Sequence, residues 1–190
     1  MKKVYLLTIL MTALFSCQKT EKMKEKLFPE KPYQDAKIDK FYWAINHSDI
    51  DQIPLIKPVF LSQYKGKDEW SIKVSDFNKS EIISNLLNPV LSFNVNNIYI
   101  YGFQDDDYFG ETNEILFSKK WFIINTQEKQ LVYFDKESDF REELKKLNLA
   151  EEFLNPNEVY EQYKQNPILP WFPENIKKQL EEVKAKKKNK

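Results

Sequence analysis

From Pro89 to Asp135, apolar and polar residues alternate in one short run after another, with turn residues between the runs. In Val90-Leu91-Ser92-Phe93-Asn94-Val95, residues Leu91, Phe93 and Val95 fall on one side and Ser92 and Asn94 on the other. That period of two predicts a half-buried strand. Asn96-Asn97 follows, and Asn tolerates the left-handed backbone that a two-residue hairpin needs. Ile98 to Phe103 alternates again, with Ile98 and Ile100 opposed to Tyr99, Tyr101 and Phe103. A second hairpin is expected from Ile115. Trp121-Phe122-Ile123-Ile124 is apolar on both faces, the mark of a central strand covered on both sides. Trp121 and Ile123 are therefore expected in the core. Thr126 to Lys129 is a polar turn, and Gln130 to Phe134 is the return strand.

The flanks carry helical periods. Asp35 to His47 places Ile38, Phe41, Tyr42 and Ile45 on one face and predicts a helix. Ile53 to Leu61 holds two prolines and is expected to be an edge strand or irregular. Trp70, Ile72 and Val74 alternate as a strand after a Lys65–Asp68 turn. Ser80 to Asn88 predicts a short helix stopped by Pro89. Ser138 is the expected cap of a helix through Leu147. Asn155-Pro156 opens another, carrying Val159, Tyr160 and Tyr163. Pro167 to Pro173 crosses in extended form, and a last helix shows Ile176, Leu180 and Val183 before a basic tail, Lys184–Lys190. The sum is an α+β fold: one mainly antiparallel sheet with N- and C-terminal helices packed on it.

The first residues read as an address. Lys2-Lys3 precedes an apolar run, Val4 to Phe15, that is short for a bilayer span and predicts a signal peptide. The run ends at Leu14-Phe15-Ser16-Cys17, with an aliphatic residue three before a Cys and a small one just before it. This resembles the lipobox of bacterial lipoproteins. The resemblance covers the targeting segment alone. It implies cleavage after residue 16, lipid on Cys17, and export to the cell envelope, on the periplasmic or surface face of a membrane. Residues 17–34 are charged, mixed in sign and without apolar period, and are expected to tether a single domain, 35–183.

Composition narrows the chemistry. Formal net charge is +0 over 190 residues, so a basic nucleic-acid face is not expected. With 3 Gly, the chain holds no GxGxxG and no P-loop. Cys17 is the single Cys and His47 the single His. A Cys/His zinc site is excluded by count, and a His-dependent triad would have to use His47. A His at a helix end more often caps carbonyls. No metal and no cofactor are expected.

The most unusual segment is the loop Gln104 to Glu114, with Asp105, Asp106, Asp107, Tyr108, Phe109 and Glu111. Calcium is one reading, since hard cations want several oxygens. Counting from Asp105, Gly110 falls at position six of an EF-hand loop, but Leu116 stands at twelve where Glu is required. A glycosidase pair is another, though adjacent aspartates are a poor start for it. A solvated acidic loop is the plain reading. The fourth is a protein-binding site, with Tyr108 and Phe109 as anchors among carboxylates. Trp171, between prolines, either seals an open core edge or docks a peptide or glycan.

The functional expectation is a lipid-anchored, non-catalytic lipoprotein that binds another, basic protein. One concrete form is an immunity-type lipoprotein that neutralises a toxin, by analogy of fold class alone. The alternative is an accessory lipoprotein holding a small ligand or cell-wall glycan in an aromatic cleft. A carboxylate-dependent hydrolase comes third.

Overall fold

The computed structural model describes residues 38–43, 46–47, 49–79, 85–105, 107–109, 114–117 and 120–188. Among the described residues, twelve strands and three helices make an α+β fold with two five-stranded sheets rather than the single sheet expected. Strands β1 (Asn46–His47), β2 (Ile50–Pro54), β3 (Phe60–Tyr64) and β4 (Trp70–Lys73) run in order. Next come β5 (Asn78–Lys79), β6 (Leu86–Leu87), β7 (Val90–Asn96) and β8 (Tyr99–Gln104). After β9 (Asp107–Phe109) and β10 (Glu114–Phe117), β11 (Lys120–Asn125) and β12 (Gln130–Phe134) complete the set. The first sheet has the order β1-β2-β3-β4-β6 and the second β5-β12-β11-β8-β7, while β9 and β10 pair as a two-stranded ribbon. All pairings but β5 with β12 are antiparallel.

The second sheet is the stretch whose alternation is plainest in the sequence. β11 lies at its centre, as two apolar faces require. One face carries Phe93, Ile100, Phe122, Ile124 and Leu131, each fully buried, and β4 of the first sheet lies against β7. On the other face the register stacks three rows. Tyr99, Asn125 and Gln130 form the first; Tyr101, Ile123 and Val132 the second; Phe103, Trp121 and Phe134 the third. Helix α1 (Glu137–Lys146) covers the last two rows with Phe140 and Leu144, joined by Phe153 and Leu149. Ile123 is buried as expected, whereas Trp121 is half-buried, its ring 4.8 Å from Phe140 and 4.6 Å from Phe103.

Helix α2 (Pro156–Gln165) starts where expected. Asn155 accepts the N–H groups of Asn157 and Glu158, and Pro156 takes the first turn, where its missing N–H costs nothing. Its buried Val159, Tyr160 and Tyr163 lie toward β2 and β7. The Trp70 indole donates to Asn157 Oδ1 at 2.7 Å, and the Tyr163 hydroxyl to the Tyr42 carbonyl at 2.9 Å. Burial pushes the Tyr163 phenol far up, and burial with the neighbouring Asp51 does the same for Tyr160, so both stay neutral donors. Helix α3 (Glu174–Lys188) buries Ile176 and Leu180 and runs through most of the expected basic tail, with Lys184 donating to Asn166 Oδ1 at 3.0 Å.

Several expectations change. Over the described residues of Asp35 to His47, a 3-10 turn at Lys40–Tyr42 and strand β1 replace the helix, so His47 lies in a strand rather than at a helix end. Asp39 fixes that turn by accepting the Phe41 N–H and pairing with Lys57. Lys57 chiefly, and the Phe41 N–H next, hold its carboxyl below the usual range. Ile53 to Leu61 is a hairpin within the sheet: Pro54 ends β2, and Leu55 and Val59 close the loop by Leu55 N–H to Val59 O at 3.0 Å. At the end of Ser80 to Asn88, Leu86–Leu87 is a strand beside β4, in keeping with the extended backbone favoured before proline; residues 80–84 lie outside the described residues. Lys136, not Ser138, stands at the N-cap position of α1 and makes no side-chain cap bond; Ser138 lies inside the first turn and donates to Asp139. The first hairpin turns at Asn97-Ile98, one residue later than expected, with Asn97 at φ 55°. Leu91 is 46% exposed, because the β7–β8 register slips by one between Val90 and Ser92 and leaves Leu91 as the extra residue of a bulge.

Candidate functional site

The acidic segment is a hairpin arm in part, not a plain loop. Asp107 sits opposite Phe117, keeping the register that Gln104 and Lys120 set at the end of the second sheet. Tyr108 then faces Ile115 in register and Phe109 faces Glu114, after a bulge between Ile115 and Phe117. A bulge twists a ribbon and re-aims what lies beyond it. The ribbon hydrogen-bonds as a sheet of its own, and a two-stranded hairpin has little independent stability. The end of the second sheet at Gln104 and Lys120 is its base. Asp106, Glu111 and the lipidation candidate Cys17 lie outside the described residues.

That base is polar and enclosed. Gln104 is 1% exposed and Lys120 8%, directly opposite each other in register. The Lys120 ammonium meets Asp135 Oδ1 at 2.9 Å and stands 5.9 Å from the centre of the Tyr133 ring. A buried charge survives through such pairing. The half-buried Asp105 donates its N–H to the Pro89 carbonyl at 3.0 Å and so ties the ribbon's entry to the start of β7. Trp171 is remote from the ribbon residues in its contacts. Its indole N–H donates to the Pro54 carbonyl at 3.0 Å, and its ring meets Phe93 edge-on at 6.0 Å. Those contacts fit the sealing role, since they occupy the donor and one edge of the ring.

Two clefts open at the other end of the second sheet, and the Thr126–Lys129 turn lies at both. The first, about 360 Å³, is the row of Tyr99, Asn125 and Gln130 that α1 leaves uncovered. Its floor adds Ile123, Val132, Phe134 and Leu147, and its rim carries Glu128 and Glu143. Asn125 Oδ1 accepts the N–H groups of Gln127 and Glu128, each at 3.1 Å, and so fixes the turn that holds Glu128. The second, about 320 Å³, is lined by Phe60 and Phe77 with Lys73, Lys129 and Asp76. Sequence reasoning missed both clefts. Asn125 read as the end of the central strand and Glu128 as part of the polar turn, and Glu143 carried no signal of its own. The signal available was the cross-strand row itself, in which polar Asn125 and Gln130 continue a face that is otherwise apolar.

Among the described residues no three or more of His, Cys, Asp and Glu gather as a metal site, and no helix is long and apolar enough to cross a membrane. Compared with family models, curated proteins and solved structures, the chain matches none.

Proposed function

We propose that the chain is a lipid-anchored, non-catalytic envelope lipoprotein whose domain binds a basic protein partner through the acidic-aromatic arm. One concrete form is an immunity-type protein that neutralises a toxin at the envelope. The observation that supports this most is the register of the arm: Asp107 opposite Phe117 keeps the register of Gln104 and Lys120 in a well-buried sheet, and Tyr108 and Phe109 pair beyond it after a one-residue shift. A carboxylate-rich arm on a rigid base suits electrostatic capture followed by aromatic anchoring. Glu111 and Asp106 belong to the same acidic run, Asp105 roots it, and Trp171 is the next contact to test. In this reading the helices after β12 stiffen the platform by packing on its sheets. The lipobox at Leu14–Cys17 carries the anchor.

The test has two arms. Cys17→Ser should move the protein out of the membrane fraction and abolish palmitate labelling; retained labelling refutes the anchor. For the arm, the domain is used to capture partners from its own host. Asp106→Lys with Asp107→Lys should slow association several-fold at low salt, an effect that shrinks as salt screens charges beyond ~8 Å. Tyr108→Ala should speed dissociation. Unchanged rates in the double Lys variant would move the interface elsewhere.

A second reading has its own observation. The cleft of about 360 Å³ beside α1 has the size and the apolar floor of a small-ligand site. It fits an accessory lipoprotein that holds a small ligand or cell-wall glycan. A hydrolase suits it less: an acid–nucleophile pair needs one carboxyl enclosed by apolar groups, whereas Glu128 is exposed and Glu143 has Lys146 at 3.4 Å.

A further inference from the structure

The cleft beside α1 combines three features that together specify a ligand. Its floor is apolar yet accessible: Tyr99, Val132, Phe134 and Leu147 are each half-buried, in a concavity rather than on an open face. The charged groups in its lining are both carboxylates. Among the described residues Glu128 has no ion-pair partner, while Glu143 shares Lys146 with Glu142. Asn125 spends its Oδ1 on the turn, so its side-chain oxygen is already engaged and the turn is rigid.

We propose that this cleft binds an organic cation with an apolar body: an ammonium or guanidinium on an aliphatic or aromatic stem. The stem lies on Val132, Ile123 and Leu147, and the cationic head meets Glu128 at the rim, with Glu143 adding to the negative field. A neutral glycan would leave the unpaired Glu128 without a use, and an anion would be repelled by it. The opposite cleft, with Lys73 and Lys129, has the reverse sign. This inference rests on the second reading above, not on the acidic arm, and it adds the charge and shape of the ligand.

The experiment titrates the domain with four probes and follows the methyl resonances of Ile123 and Val132. The probes are 2-phenylethylammonium, neutral 2-phenylethanol, anionic 3-phenylpropionate and the disaccharide of N-acetylglucosamine. The expected result is saturable shifts at both methyls, with the ammonium bound at least fivefold tighter than the alcohol. Glu128→Gln should remove most of that preference and leave alcohol binding unchanged; Val132→Trp, which fills the floor, should abolish both. A lysine dipeptide with blocked ends then separates the sources: tighter binding than the free amine points to a peptide side chain, weaker binding to a small amine, and either supports a cation site. Equal binding of ammonium and alcohol overturns the cation proposal but leaves a cleft. Disaccharide binding without ammonium binding assigns the cleft to glycan and also overturns it. No shift at either methyl with any probe removes the cleft reading and the proposal together. Because Val132→Trp could disturb the fold, its melting profile is compared with that of Glu128→Gln, an exposed substitution that leaves the core untouched.

Discussion

The two faces of the second sheet share the same strands and differ in what covers them. On the face toward the first sheet, Phe93, Ile100, Phe122, Ile124 and Leu131 are sealed from solvent. On the other face, Tyr101 and Ile123 are buried under α1, but Tyr99, Trp121, Val132 and Phe134 around them stay half-buried. Geometry explains the gap. Five strands span roughly 19 Å at ~4.8 Å each, while one helix is ~10 Å across and ten residues of it run ~15 Å. A sheet can cover a sheet; one short helix cannot. The uncovered remainder, at the row of Tyr99, Asn125 and Gln130, is the first cleft. Function in this domain is therefore sought where the cover ends: at that row, and at the opposite strand ends, where the arm continues.

The comparison breaks first at Phe122. Its side chain is fully buried, so Phe122→Ala should cost about 3–5 kcal/mol in denaturant melts. Trp121 is its neighbour in sequence and points the other way. A loss there as large as at Phe122 would mean that the helix seals its face as well as a sheet does. Gly102 comes next. A Cβ at that position would stand 2.1 Å from the Ser92 carbonyl oxygen and 2.8 Å from Phe93 Cα, both backbone atoms that cannot swing aside. Gly102→Ala should cost about 3 kcal/mol, the upper end for overpacking, and should shift amide resonances along β7.

Trp121→Ala should cost about 2 kcal/mol. The indole loses its stack on Phe140 and its contact with Phe103, but water already reaches part of it, so less apolar area returns to solvent. A thermal or denaturant melt of this variant beside Phe122→Ala measures the difference between the faces directly.

How far these features were legible follows from the same contrast. Trp121 to Ile124 announces a central strand because both faces are apolar, and Asn155-Pro156 announces a helix because cap and first turn are local chemistry. The first sheet was legible only at β4, where Trp70 and Ile72 alternate with Ser71 and Lys73. Its strands β1 and β6 are two residues long, too short for a period, and β2 and β3 are defined by pairing across a proline-bounded loop. The acidic arm was visible as composition, but the pairing of β9 with β10 was not. The clefts depend on where a helix ends over a sheet, and no single segment of sequence encodes that.

The smallest expected effect tests the point at which alternation misleads. Leu91 alternates with Phe93 and Val95, and by period alone it belongs to the core. The bulge inserts it between Val90 and Ser92, opposite no partner of its own, and turns it outward while Val90 and Phe93 both stay buried. A bulge changes the parity of a strand, so residues on either side of it obey the period of two separately. The nearby Gly102 is what lets β8 approach the bulged backbone so closely. Leu91→Ser should therefore change stability by less than about 0.5 kcal/mol, the range of surface substitutions, whereas Phe93→Ser removes a fully buried ring and should cost several kcal/mol. The two variants are compared in one series of urea melts. A loss of 2 kcal/mol or more on Leu91→Ser would return Leu91 to the interior, restore the unbroken alternation of β7, and remove the reason given for a glycine at position 102.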